Sequence, residues 1–252
     1  MIRIVRPRLP DTAAAMLADQ TSKIEQAVSQ IHMAKRLWKD TNVRSTVLTP
    51  HVRPALERMA PGIARCMYCG ENYGTDIDHY RPKSLWPLHT FDWLNHLLSC
   101  SACNSSHKGN RFPLAEDGSP LLIDPTTEDP ADHLHLTLAT GDYIGLTSRG
   151  EATIKTLGLN RGVLVQGRAR AVRDTVRLMR EWRIAIERQD ILLEEIVLND
   201  LRQQPFTAVA DALFRQASGI AVMTIFSADL DTLAFLRDPE VLETASRALV
   251  GR

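Results

Sequence analysis

Cys66-Met67-Tyr68-Cys69-Gly70, Asp76-Ile77-Asp78-His79-Tyr80-Arg81-Pro82-Lys83-Ser84 and Cys100-Ser101-Ala102-Cys103-Asn104 are the three runs whose reading decides the fold. The chain has four cysteines, and they form two Cys-x-x-Cys pairs with none left over. Thiolates in two such pairs complete a tetrahedral zinc site, here Cys66, Cys69, Cys100 and Cys103. A closed four-sulfur shell has no open position, so the zinc is expected to be structural and the chemistry to come from what it holds in place. The pairs alone would say nothing about catalysis. Residues 70–99 between them, 30 in all, exceed the roughly 15–20 of a plain zinc ribbon. That excess carries Asp-x-Asp-His.

Outward from this segment the pattern is helical. Pro10-Asp11 reads as a helix start, and Ile24, Val28, Ile31 and Leu37 fit one face of a helical stretch to about Trp38. A short helix is expected over Pro54–Met59, ended by Pro61-Gly62. The Cys-rich segment itself reads as a strand through Asp76–Tyr80, a loop over Pro82–Pro87, a strand near Leu94–Ser99 and a short helix about Ser101–Lys108. Leu121–Pro125, His133–Thr140 and Tyr143–Thr147 read as strands, the last two joined by a turn at Gly141-Asp142. From Glu151 the chain turns helical again. Arg161 to about Gln204 is one long helix or two, broken by Pro205, and Pro239 begins the last. The expected class is α+β, mostly helical. The expected regions are 1–60 (helical, a partner-docking candidate), 61–115 (the catalytic core), 116–150 (a short β segment) and 151–252 (helical).

The residue types suit phosphodiester cleavage, which needs an activated water, a cation to absorb negative charge and support for the leaving oxygen. Histidine titrates near neutral pH, so His79 can take a proton from water. Asp78 is adjacent on a strand, and in a regular strand its side chain points to the opposite face.

The order Asp78-His79, Asn95 and Asn104, framed by two cysteine pairs, resembles the HNH endonucleases, the ββα-metal family. The likeness covers about 50 of the 252 residues. It implies a ββα-metal core with zinc knuckles, in which Asp78 and His79 converge on one phosphate. It further implies His79 as general base, Asp78 and Asn104 as oxygen ligands of a catalytic Mg²⁺ (or Mn²⁺ in its place), and Asn95 bonded to the backbone that fixes His79. Asp76 is a further candidate ligand or support. The family's Cys-Asn-x-x-Lys-Gly is one residue longer here, Cys103-Asn104-Ser105-Ser106-His107-Lys108-Gly109, so His107 replaces or supplements Asn104 in one reading. Arg81, Lys83 and Lys108 are candidate phosphate contacts.

The flanks look like the PtuB family, HNH subunits of Septu and retron-associated anti-phage systems. The resemblance rests on Ile77–Ser84, Met1-Ile2-Arg3-Ile4, Phe112-Pro113-Leu114 and Thr156-Leu157-Gly158-Leu159-Asn160-Arg161. It implies a DNA substrate and a PtuA-like ABC- or SMC-type ATPase partner, and the chain has no phosphate-loop motif of its own. A stand-alone restriction-type nuclease and a non-catalytic zinc module are the alternatives.

Thirty Lys and Arg balance thirty Asp and Glu, so bulk charge does not announce nucleic-acid binding and any phosphate-binding surface must be local. Arg170, Arg173, Arg177 and Arg180 recur at helical spacing and form one such candidate, with a solvated helix face as the plain alternative. His89, His96, His133 and His135 read as structural or surface residues. Paired cysteines without a secretory signal favour metal over disulfides and a reducing cytoplasm, and no membrane association is expected.

Overall fold

The computed structural model describes residues 1–250. It is 57 % helical with two small antiparallel sheets, the α+β, mostly helical class expected. The buried apolar side chains form one cluster from Met1 to Leu249, so the four regions read from the sequence share a core.

Residues 1–10 form an extended arm that burial holds in place. Met1, Ile2, Ile4 and Leu9 are buried, and the Ile4 N–H donates to the Pro125 carbonyl at 2.8 Å. The Arg6 guanidinium donates to the carbonyls of Trp93 and His96 at 2.8 and 2.9 Å and lies 4.9 Å from the Trp93 ring. Removing residues 1–45 would therefore take away core rather than a detachable docking element.

The helix expected through Trp38 is two, α1 (Asp11–Glu25) and α2 (Gln30–Lys39). The chain turns at residues 26–29, which resets the helical phase. Ile24 and Leu37 are buried with Ala13, Leu17 and Ala34, whereas Val28 and Ile31 are exposed. After Asp40, whose carboxylate caps α3 (Thr41–Val43), the helix continues without a break. It passes through a π-helical stretch, Arg44–Val52, into α4 (Arg53–Met59). Pro50 and Pro54 hid this continuity. Pro54 lies in the first turn of α4, and Pro50 lies where the i→i+4 ladder is already interrupted.

β1 (Asp76–His79) pairs antiparallel with β2 (His96–Ser99), Asp76 opposite Ser99 and His79 opposite His96. β2 begins later than expected because Asp92 accepts the Leu94 N–H and closes a 3₁₀ turn over Trp93–Asn95. A second π-helical segment, Ala102–Lys108, follows. The strand expected at Leu121–Pro125 does not form. Leu122 and Ile123 are fully buried, but the Ile123 N–H donates to Thr153 Oγ1 instead of a ladder partner. β3 (Leu134–Leu136) and β4 (Tyr143–Gly145) form the expected hairpin in shorter form. Gly141 has φ +86°, and a Cβ there would meet the Val165 carbonyl oxygen at 2.3 Å, so the turn requires glycine.

The remaining helices are α5 (Ser148–Leu157), α6 (Gly162–Glu187), α7 (Ile191–Gln203), α8 (Thr207–Arg215), α9 (Ile220–Ile225), α10 (Leu230–Phe235) and α11 (Pro239–Val250). The stretch Arg161–Gln204 is thus two helices. Gln189 at φ +54° ends α6, and the Asp190 side chain caps α7 by accepting the Leu193 N–H at 3.0 Å. The α7–α8 junction docks on the first cysteine turn: Phe206 N–H donates to the Gly70 carbonyl at 2.9 Å, and Arg65 reaches the Gln203 carbonyl.

Candidate functional site

Cys66, Cys69, Cys100 and Cys103 come together as four buried free thiols whose sulfurs all lie within 4.8 Å of one another. Cys69 and Cys100 are 3.9 Å apart at sulfur. A zinc ion at about 2.3 Å from four sulfurs holds them about 3.8 Å apart, whereas a disulfide would draw two to about 2.05 Å. The donor set therefore fits zinc. Each pair sits on a tight turn. Gly70, at φ +71°, donates its N–H to the Cys66 carbonyl, and the Asn104 N–H donates to that of Cys100, both at 2.9 Å. Arg161 Nη2 lies 3.5 Å from Cys103 Sγ, where its charge offsets that of thiolates. The cluster joins the first cysteine turn to the end of β2 and the start of the second π segment, and so fixes that segment across β1.

β1 keeps regular alternation, so its side chains divide between two faces. Asp76 and Asp78 face the second π segment, where Asn104 and Lys108 meet them. Asn104 Nδ2 donates to Asp76 Oδ2 at 3.0 Å, and Lys108 Nζ donates to Asp78 Oδ1 at 3.0 Å and to the His79 carbonyl at 2.6 Å. Tyr68 OH donates to Asp78 Oδ2 at 2.6 Å; burial and then Asp78 raise its pKa well above the ordinary 10.0, keeping the proton on. The extra residue before Lys108 is absorbed by the π turn, closed by the Gly109 N–H to the Asn104 carbonyl five residues back. Asn104 and Lys108 thereby stay on one face.

Lys108 and Asp78 are only 1 % and 3 % exposed at the side chain. Lys108 is therefore no phosphate contact, because its ammonium is spent on a buried ion pair. Both Asp78 oxygens are engaged and buried, whereas Asp76, which accepts from Thr75 and Asn104, and Asn104 itself are half-buried at the edge of solvent. Lys108→Met would leave a buried carboxylate with Tyr68 as its one remaining partner. The expected cost is about 3–5 kcal/mol of stability, read as a lower urea midpoint at unchanged slope. A variant within about 0.5 kcal/mol of the parent would show that the pair carries no such burden.

On the opposite face His79 packs edge-on to Trp38, with ring centroids 4.2 Å apart. His79 Nε2 lies 3.0 Å from the Thr90 carbonyl oxygen, and His96 Nε2 lies 2.9 Å from the same oxygen. A carbonyl only accepts, so both imidazoles carry their hydrogen on Nε2. His79 Nδ1 is then a lone pair with no hydrogen bond among the described residues. Burial, with His96 and Lys83 nearby, holds the His79 pKa well below the ordinary 6.5, outweighing the Thr90 carbonyl. Burial likewise lowers His96 to about 4. His79 is thus a neutral base at neutral pH.

Asn95 builds this face. It accepts the Arg81 N–H at 2.7 Å and donates to the carbonyls of Arg81 and His89 at 3.0 and 2.9 Å. It therefore ties the chain just after His79 to the residue before Thr90.

Asp76, Asp78, His79 and Asn104 border one cleft of about 430 Å³, together with Trp38, Arg44 and Lys83. Other expected residues lie elsewhere. Arg81 stacks 6.0 Å from Trp86 and 5.7 Å from Phe112, and it borders a different hollow. His107 turns away onto Gly158, where a Cβ would come within 2.4 Å of its ring. In the α6 stripe Arg177 pairs with Asp174 and Arg180 with Asp229, and none of the four arginines borders the cleft. Sequence reasoning missed Tyr68, Thr90 and Trp38. Tyr68 lies inside a cysteine turn already assigned to metal, and Thr90 acts through its carbonyl, which side-chain identity does not reveal.

No family model matches the chain. It is similar to two curated proteins, each named Septu protein PtuB. One, from Bacillus mycoides (strain KBAB4), is 29 % identical over 154 residues, 49 % of this chain and 51 % of the relative. The other, from Bacillus thuringiensis, is 27 % identical over 167 residues, 64 % of this chain and 55 % of the relative. The chain spans about half the length of the curated relatives it matches. No helix among the described residues is long and apolar enough to cross a membrane.

Proposed function

We propose, from the likeness to Septu protein PtuB and from the cleft at β1, that this chain is a metal-dependent HNH-type endonuclease. It cuts DNA phosphodiester bonds within a Septu-type anti-phage system, partnered by a PtuA-like ABC- or SMC-type ATPase. The observation that carries the catalytic part is the state of His79. Its Nε2–H is anchored on the Thr90 carbonyl, its Nδ1 lone pair is free and its ring is neutral. In that state it can accept the proton of an attacking water. Asn95 is the positioning residue, holding the backbone on either side of the base.

Asp76 and Asn104 supply hard oxygen donors in the same cleft and would hold Mg²⁺ or Mn²⁺. Asp78 would join them only once Lys108 gives way. Mg²⁺, when bound, stabilises the negative charge that develops on the phosphate. The zinc held by the cysteines is structural.

The test is cleavage of supercoiled plasmid by purified protein in Mg²⁺, with and without a PtuA-like ATPase, His79→Ala run in parallel. Cutting that requires the ATPase and disappears in His79→Ala is the expected result. Cutting by the chain alone, again lost in the variant, would keep the nuclease and remove the obligatory partner. A wild type that leaves every plasmid intact, or a His79→Ala that cuts like the parent, would overturn the catalytic assignment.

A further inference from the structure

The chain has no net charge, and several of its exposed cations are paired: Arg177 with Asp174, Arg180 with Asp229, Arg215 with Asp129 and Asp211. The cations at and beside the β1 cleft differ. Lys35 and Lys39 on α2 and Arg44 at the start of the first π segment are exposed, and Lys83 is half-buried. None of the four makes an ion pair among the described residues.

Two of them border the cleft itself, and the other two lie beside it on the helix that carries Trp38. Lys35 and Lys39 are one helical turn apart and flank Trp38, which borders the cleft. Lys83 Nζ lies 5.7 Å from the Trp38 ring centroid, and Arg44 and Lys83 both border the cleft. Burial and then, against the pull of Asp78, the charges of Lys108, Lys35 and Lys39 lower the Lys83 pKa, as crowded cations do. The acid next in sequence, Asp40, has one oxygen committed to the Asn42 and Val43 N–H groups at 2.9 and 3.1 Å. Inside the cleft, Lys108 offsets Asp78 and leaves Asp76 as the acid facing solvent.

Clustered, unpaired cations repel one another, a cost that an anionic partner relieves. A partner with phosphates at regular intervals matches a row of long cationic side chains better than a single small anion. We infer that Lys35, Lys39, Arg44 and Lys83 form the track that grips the backbone of duplex DNA and delivers a phosphate to the cleft. The arginine stripe of α6 does not serve this role. The inference rests on the nuclease reading above and extends it to the substrate-binding surface.

The test uses the full chain in whichever preparation, alone or with the ATPase, cleaves plasmid. Fluorescence anisotropy with a labelled DNA duplex is measured without added Mg²⁺ or Mn²⁺ and without chelator, so that the zinc stays in place, at several salt concentrations. The variants are Lys35→Gln/Lys39→Gln/Arg44→Gln and, as comparison, Arg170→Gln/Arg173→Gln; all five side chains are exposed, and thermal melts check the fold. The rim variant is expected to bind about tenfold or more weakly and to lower the salt-dependence slope by about 2–3. The α6 variant is expected to bind within about twofold of the parent, since it removes no backbone contact. A rim variant that binds like a parent still cutting through His79 overturns this inference alone. Weaker binding by the α6 variant only, or tighter binding to an RNA duplex of the same length, also overturns it. A parent that neither binds nor cuts DNA takes the nuclease reading down with it.

Discussion

Cys100→Ser is expected to yield aggregated protein, and chelation of zinc from the wild type to unfold the segment around β1. The magnitude follows from comparing two quantities. A structural zinc site is worth about 10–16 kcal/mol in small zinc peptides, and the net stability of a folded domain is about 5–15 kcal/mol. Losing one of four ligands therefore removes energy comparable to the whole margin. In this chain the damage also spreads. The cysteine turn carries the Phe206–Gly70 bond and the Arg65–Gln203 contact to α7 and α8, and Cys103 meets Arg161 at the entry to α6. The measurements are the soluble fraction, zinc content by mass spectrometry and the thermal melt. Cys66→Ser should behave in the same way. A soluble, zinc-free Cys100→Ser that melts like the parent would show that the cluster is not a metal site.

The second large effect is on chemistry. His79→Ala is expected to lower the single-turnover cleavage rate by about 10²–10⁴, the usual contribution of a positioned general base. DNA affinity measured without added Mg²⁺ should stay near that of the parent. His79→Gln is the sharper variant, because its amide can still donate to the Thr90 carbonyl while offering no basic nitrogen. If the role of His79 is proton transfer, Gln and Ala lose rate alike. If His79 only braces the loop from residue 80 to 95, Gln recovers most of the rate, and the base must be sought elsewhere. Because burial holds the His79 pKa well below 6.5, the rate should not fall away with a midpoint near 6.5 as pH is lowered; any acidic limb from His79 comes at lower pH.

Much of the site was legible in the sequence. The two cysteine pairs carry their geometry locally: three residues of spacing bring two sulfurs to one tight turn, and four thiols so placed suit zinc. The strand at Asp76–His79 and the helix opening after Cys103 were readable for the same reason. Asn95 was placed by its order in the motif, and the fold gives that position a physical purpose in the bonds to Arg81 and His89.

Other roles could not be read this way. Lys108 reads as a surface cation, yet burial at 1 % exposure makes it the partner of Asp78. Arg81 and Lys83 are two residues apart in one motif, but one stacks on Trp86 and the other borders the cleft. The periodic arginines of α6 look like a phosphate-binding stripe until Asp229, 49 residues beyond Arg180, is seen beside it. Arg44 and Lys83 are 39 residues apart in the chain, and only the fold brings both to the edge of the same cleft.

By itself, the sequence determined which residues can bind zinc, which segment carries the strands, and that a histidine and several oxygen donors lie close together. These follow from short-range spacing and intrinsic side-chain chemistry. The tertiary structure alone decided which charges are spent on one another and which remain free, and which ring nitrogen of His79 stays open. Those outcomes depend on burial and on partners far apart in the chain, and the net energy of a charge or hydrogen bond is set by that environment rather than by its neighbours in sequence.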